Sequence, residues 1–303
     1  MALALGSGGA RGYAHIGVIA ELEDRGFSLV SVAGSSMGAL VGGLYCAGGL
    51  DEYVDWISGL SQLDVMRLMD VSLSKPGGVM GAERIIAHVS DILGDTAIED
   101  LRIPFTAVAT DLNAGRSVWF QRGSLVDAIR ASIAIPGVIA PHVHDGRLLA
   151  DGGILDPLPV APTSAVASDV TIGVVLDGGG DPGRGAARQP KAKGIIARNV
   201  DPILSSEFVR SVRDRIGLDA PSEESGDDPA GLPAMGRLEV LTRSLDIMSI
   251  ALTRHQIAGY PPDILISVPR KSVRTLDFHK ASEMIELGRT LTADALDRLP
   301  ELS

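Results

Sequence analysis

Apolar residues fall along this 303-residue chain in two alternating patterns. Short apolar runs at 2–5, from Val30 into Gly34, and at 104–111, 117–121, 147–150, 170–176 and 263–268 predict strands. Between them, apolar positions recur at helical spacing. His15, Val18, Ile19 and Leu22 share one face of a helix that ends near Gly26. A second helix starts at Met37, continues to Ala47 and is stopped by Gly48-Gly49. Two short helical patterns occupy 51–69, and further helices are predicted over 82–93, 124–132, 160–168, 238–257 and 282–299. Glycine and proline punctuate the rest: 74–78 reads as a surface loop, Asn113-Ala114-Gly115 as a turn, and Pro136 and Pro141 as the brackets of a rigid loop. Strands alternating with helices predict an α/β layered sheet.

The pattern changes after residue 176. Residues 177–193 are rich in Gly, Asp, Pro and Arg, and 221–233 are acidic and rich in Gly and Pro, so neither stretch has the apolar surface to order itself. Between them, Ile203, Leu204, Phe208, Val212 and Ile216 recur at roughly helical spacing within 195–218, with arginines at 210, 213 and 215. A helix packed by its apolar face is the plain reading, and a lid or membrane-surface helix is the alternative. The expected organisation is a core of 1–176, an insertion of 177–236, and a C-terminal helix-strand-helix of 237–303 completing the same domain.

Composition narrows the function classes. With 45% apolar and 21% charged residues the chain is globular in balance. A net charge of −11 and only 4% aromatic residues argue against nucleic acid as a partner. The single cysteine, Cys46, sits in an apolar helical pattern and reads as a small core residue. Residues 2–5 run directly into a glycine loop, unlike a signal peptide, and no run of eighteen apolar residues is present. The expectation is a cytoplasmic protein, with peripheral contact at the inner membrane surface left open.

The candidate chemistry sits where strands end. Gly34-Ser35-Ser36-Met37-Gly38 is a Gly-x-Ser-x-Gly between a strand and a helix, a pattern that holds a serine hydroxyl exposed on a sharp turn. A helix starting at Met37 also aims its unpaired N–H groups at that turn. The competing reading is an N-cap serine. The earlier loop Gly6-Ser7-Gly8-Gly9-Ala10-Arg11-Gly12 lacks the glycine spacing of a dinucleotide fingerprint and the Lys-Ser/Thr ending of a P-loop. It fits best as a row of backbone N–H groups beside Ser36, since both loops follow parallel strands. Arg11 is open between a clamp for an anionic substrate group and a solvated loop charge. The 147–150 strand ends in Asp151-Gly152-Gly153, a plain turn taken alone and a candidate base when paired with Ser36. His15 and His88 read as structural, with catalysis by His15 as the alternative. His255 and His279 fall in a helix and a strand-to-helix join, while His142 and His144 remain a minority option as base.

Four blocks, Gly8-Gly9-Ala10-Arg11-Gly12, Gly34-Ser35-Ser36-Met37-Gly38, Ser132-Ile133-Ala134-Ile135-Pro136 and Asp151-Gly152-Gly153, stand in the order found in patatin-like phospholipases, which the chain resembles over about 2–165. Residues 263–288, with Leu276-Asp277-Phe278 and Glu286-Leu287-Gly288, resemble the bacterial branch related to neuropathy target esterase. The family's Gly-x-Gly-x-x-Gly falls on 7–12, so its first glycine is Ser7 here, which implies a local change in loop geometry. The resemblance implies a three-layer α/β/α sandwich with a mostly parallel central sheet. It also implies a Ser36–Asp151 dyad without histidine, Gly8 and Gly9 as oxyanion donors, a lipid acyl ester as substrate, and no metal or cofactor. Arg11 would hold a phosphate head group. The alternative from another class is a non-catalytic nucleotide- or lipid-binding module on the same scaffold.

Overall fold

The structure is a computed structural model that describes residues 1–60, 63–65, 83–178, 237–275 and 277–298. By its contacts the chain divides into one unit of Met1–Gly180 with Leu241–Ser303 and a second of Asp181–Val240, and the sheet lies wholly in the first. The strands are β1 (Ala2–Leu5), β2 (Ser31–Ser35), β3 (Phe105–Asp111), β4 (Arg116–Phe120), β5 (His142–His144), β6 (Arg147–Asp151), β7 (Thr171–Gly178) and β8 (Ile264–Pro269). The helices are α1 (Ala14–Asp24), α2 (Met37–Ala47), α3 (Leu50–Ser58), α4 (Glu83–Leu93), α5 (Leu125–Ser132), α6 (Arg237–Gly259) and α7 (Ala281–Asp297).

The strands form one sheet of order β5-β6-β3-β2-β1-β7-β8, with β4 also paired to β3. Five of them, β3-β2-β1-β7-β8, run parallel, and β4, β5 and β6 pair antiparallel at one end. Parallel strands covered on both faces need apolar residues throughout, and β1 and β3 are buried at every position. The pleat then divides the core. Leu3, Leu5, Val32, Ile172 and Val174 join the main cluster with α1, α2, α3, α5 and α7. Ala4 and Val175 point the other way, onto Leu158, Val160 and Ile257 of α6. The result is the expected three-layer α/β/α arrangement around a mostly parallel sheet.

The pairing of β3 positions everything chemical. β4 occupies one edge of β3 from Ala107 to Asp111. A strand has only two edges, so β2 and β6 share the other: Ser35 of β2 registers with Val108, and Asp151 of β6 registers with the next residue, Ala109. Two strands coming from opposite directions therefore end nose to nose at one point of the sheet.

Two sequence expectations change. Residues 160–168 form only a five-residue 3₁₀ turn, Ala161–Ala165, because Pro162 and the β-branched Thr163 and Val166 do not propagate a helix. β5 is a strand with no counterpart among the apolar runs. Three residues show no period, and its pairing with β6 alone defines it. The readings of 74–78, 195–218 and 221–233, most of the 177–236 insertion, and most of the second helical pattern in 51–69 lie outside the described residues.

Candidate active site

Ser36 stands between β2 and α2 with φ 56° and ψ −122°, one of two non-glycine residues with positive φ among the described residues. An L-residue is strained there, at a cost of about 1–3 kcal/mol, so neighbours must hold it. Two glycines remove the obstacles. A Cβ on Gly34 would lie 2.2 Å from the Gly38 carbonyl oxygen, and one on Gly38 2.1 Å from that of Leu5. A third residue pins the turn: the Ser36 N–H donates to Ser132 Oγ at 2.9 Å, and the Ser132 hydroxyl donates to the Val108 carbonyl at 2.6 Å. In the sequence Ser132 is only the start of a resembling block, with no role of its own. Nothing local marks it, because its partners lie 96 and 24 residues away.

The Ser36 hydroxyl donates to Asp151 Oδ2 at 2.5 Å, across 115 residues of chain. The other carboxylate oxygen accepts the Gly153 N–H at 2.7 Å. The Asp151 backbone is fixed by its N–H to Ala134 O, 2.9 Å, and by Thr110 Oγ1 donating to its carbonyl, 3.0 Å. Asp151 is 6% exposed and Ser36 2%. Burial pushes the Asp151 carboxyl up to about 6, while the hydrogen bonds from Ser36 and Gly153 pull it down. Gly152 sits against Val108 and Ser35, and Gly153 against Ser7.

The glycine loop closes over the same point. Gly9 has φ +58°, and a Cβ there would meet the Thr275 carbonyl oxygen at 2.4 Å. Residues Gly9–Tyr13 form a short 3₁₀ helix, and Gly12 packs on Met37, the first residue of α2. Ser7 donates its N–H to Pro157 O at 2.8 Å, and Ala10 to Thr275 O at 2.9 Å. The intervening N–H groups of Gly8 and Gly9 have no acceptor among the described residues. Gly8, Gly9, Arg11, Ser36, Asp151 and Gly153 all line one cavity of about 380 Å³. Its other walls are largely apolar: Ile135, Pro136, Ile154 and Leu155, with Leu245, Met248 and Leu252 of α6. Met248, 54% exposed on α6, is one of these apolar wall residues. Gln256, which carries no signal in the sequence, fastens α6 beside the site by donating to Asp156 Oδ1 at 2.8 Å and accepting the Leu158 N–H at 3.3 Å.

No histidine is among the residues lining that cavity. His15 is fully buried, its Nε2 2.8 Å from Gly6 O, and burial lowers it to about 4. His88 packs on Trp56, with ring centroids 4.1 Å apart. His142 and His144 lie on β5, where with Asp127 they each offer a ligand atom within 4.8 Å of the others, the one group among the described residues with metal-ligand spacing. Arg11 is 6% exposed and donates to Arg270 O at 3.2 Å, so it is a buried part of the wall rather than a solvated loop charge. Burial pushes the Cys46 thiol up to about 12, in keeping with a core residue. No described helix is long and apolar enough to cross a membrane.

A family model described as Patatin-like phospholipase matches residues 3–163. A Mycobacterium tuberculosis protein named as an uncharacterized NTE family protein is 50% identical over 330 aligned residues, taking in 98% of this chain and 91% of its own. Lysophospholipase nte1 of Emericella nidulans is 32% identical over 179 residues, 57% of this chain and 12% of its own. Among solved structures, VipD from Legionella pneumophila aligns with 98% of this chain and 66% of its own, at 14% identity and a TM-score of 0.44.

Proposed function

The chain belongs to the patatin-like phospholipase family, and from that premise we propose a serine acyl-ester hydrolase of the phospholipase A or lysophospholipase type. Ser36 is the nucleophile, Asp151 the base and then the acid, and the Gly8 and Gly9 N–H groups the oxyanion donors. The observation that carries this reading is the 2.5 Å hydrogen bond from the Ser36 hydroxyl to Asp151 Oδ2 inside an apolar cavity.

The steps follow from the geometry. Ser36 Oγ attacks the ester carbonyl carbon as its proton passes to Asp151, and the carbonyl oxygen takes up the negative charge. The unpartnered N–H groups of the glycine loop offset that charge; losing one such donor typically costs about 3 kcal/mol of barrier. Collapse breaks the ester C–O bond, Asp151 returns the proton to the leaving alkoxide, and the acyl group stays on Ser36. A water then gives its proton to Asp151 and attacks the acyl carbon, and the proton returns to Ser36 Oγ as the fatty acid departs. With Asp151 at about 6, the carboxylate form is available at neutral pH and holds a proton better than a solvated aspartate does.

A fluorophosphonate probe tests the proposal directly. Labelling of the parent chain, its loss in Ser36→Ala, and loss of ester hydrolysis in Asp151→Asn are the expected results. Absence of labelling together with nucleotide-dependent thermal stabilisation points instead to a binding module. Retained hydrolysis in Asp151→Asn, with loss in His142→Ala or His144→Ala, moves the base to β5.

A further inference from the structure

Beside the active-site cavity lies a second one of about 480 Å³ with a different chemistry. The two share Arg11, Asp246, Arg270 and Thr275. The second adds Lys271, Arg274 and Lys280, so five cationic side chains face two acids, Asp246 and Asp277. The concentration runs against the chain as a whole, whose net charge is −11. Part of this charge is already matched. Arg270 pairs with Asp246 at 2.5 Å, and Lys280 with Glu283 at 3.6 Å. Lys271 and Arg274 are exposed, and among the described residues neither pairs with a carboxylate. Cations gathered in a concave wall raise the local concentration of anions, and a guanidinium beside an ammonium suits phosphate oxygens.

Its position says which anion. Thr275, common to both cavities, accepts the Ala10 N–H and abuts Gly9, so the basic pocket and the glycine loop share one wall. The other cavity has an apolar wall of Ile135, Pro136, Ile154, Leu155 and Leu245. A molecule lying across both would place an acyl chain against Ile154, Leu155 and Leu245, an ester at Ser36, and a negative group toward Lys271 and Arg274. In a glycerophospholipid only the glycerol carbons separate the ester from the phosphate.

We propose that the loop after β8, through Lys271 and Arg274, forms a subsite for the head-group phosphate of a phospholipid or lysophospholipid substrate. The identity of this ligand rests on the hydrolase reading above; the subsite itself is tested without turnover. Ser36→Ala protein is titrated calorimetrically with an ether-linked lysophospholipid, with the matching alkylglycerol ether that lacks the phosphate, and with inorganic phosphate alone. The phosphate-bearing ether is expected to bind at least about tenfold tighter than the alkylglycerol. That preference is expected to vanish when Lys271→Glu and Arg274→Glu are added, and to fall partway with Lys271→Gln or Arg274→Gln. Equal affinity for the two ethers, or a preference that survives charge reversal, overturns the subsite. Inorganic phosphate binding as tightly as the ether lipid overturns its assignment to a head group. Loss of fluorophosphonate labelling and of hydrolysis in the parent, with charge-dependent binding intact, sinks the hydrolase reading and leaves the subsite standing.

Discussion

Asp151→Asn is expected to make the protein more stable at neutral pH while abolishing hydrolysis. Burial raises this carboxyl from 3.8 to about 6. At about 1.4 kcal/mol per pH unit, ionising it in the folded chain costs about 3 kcal/mol more than in the unfolded one. The sign follows from proton counting. Between those two values the folded state holds a proton that the unfolded state has released, so stability falls as pH climbs from about 4 to about 6 and stays at the lower level above. Below about 4 both states are protonated and the penalty is gone. Asparagine keeps an acceptor for the Gly153 N–H and carries no charge to desolvate. Urea unfolding of parent and variant from pH 4 to pH 8 measures the difference. The variant should lead by about 2–3 kcal/mol at pH 7.5, and the lead should disappear near pH 4. A variant less stable than the parent at pH 7.5 would show that the hydrogen bonds to the carboxylate outweigh its desolvation, and the reasoning would be wrong. A lead that does not change with pH would equally refute it.

The same titration sets the activity profile: kcat/KM for an uncharged ester should rise with pH through about 6, as Asp151 becomes able to accept a proton, and a flat profile across that range would remove Asp151 from the base role. Ser132→Ala takes away the acceptor of the Ser36 N–H and the hydroxyl that donates to Val108 O, so about 1–3 kcal/mol of stability should be lost. Steady-state kinetics should show kcat falling more than KM rises, and Ser132→Thr, which keeps the hydroxyl, should recover part of it. Gly38→Ala drives a Cβ to 2.1 Å from Leu5 O, a backbone atom of β1 that cannot swing aside, and should cost about 3 kcal/mol in thermal or urea unfolding.

The features legible in the amino-acid sequence are those that local spacing encodes. The elbow at Gly34–Gly38 announces itself within five residues, because strand, turn and helix are contiguous there. β1 shows as an unbroken apolar run, and β3 and β7 as largely apolar ones, broken in β3 by Thr106, Thr110 and Asp111 and in β7 by its end residues and Gly173. His15 reads as a core residue because its neighbours at helical spacing are apolar. The remainder depends on contacts made across the fold. Asp151 is an ordinary Asp-Gly turn until β6 docks on β3, and only its pairing with the elbow and the family resemblance single it out. Ser132 and Gln256 carry no sign of their roles in the sequence, since each owes its part to partners from distant elements, whereas Arg270, Lys271 and Arg274 stand together in the sequence and only their placement beside the glycine loop, through Thr275, comes from the fold. The 160–168 segment reads as longer than it is because small residues mask the effect of Pro162 and Thr163.

The hydroxyl and the carboxylate are brought together by adjacent residues of a single strand, Val108 and Ala109. A slip of β6 by two residues keeps its inward side chains inward, yet carries the carboxylate about 7 Å along the edge, beyond reach of the serine. On the proposed chemistry, a nascent or misassembled copy thus carries a taut serine with nothing to take its proton. Such a copy is harmless to the lipids around it, and lipolysis becomes a report that the sheet has closed in register.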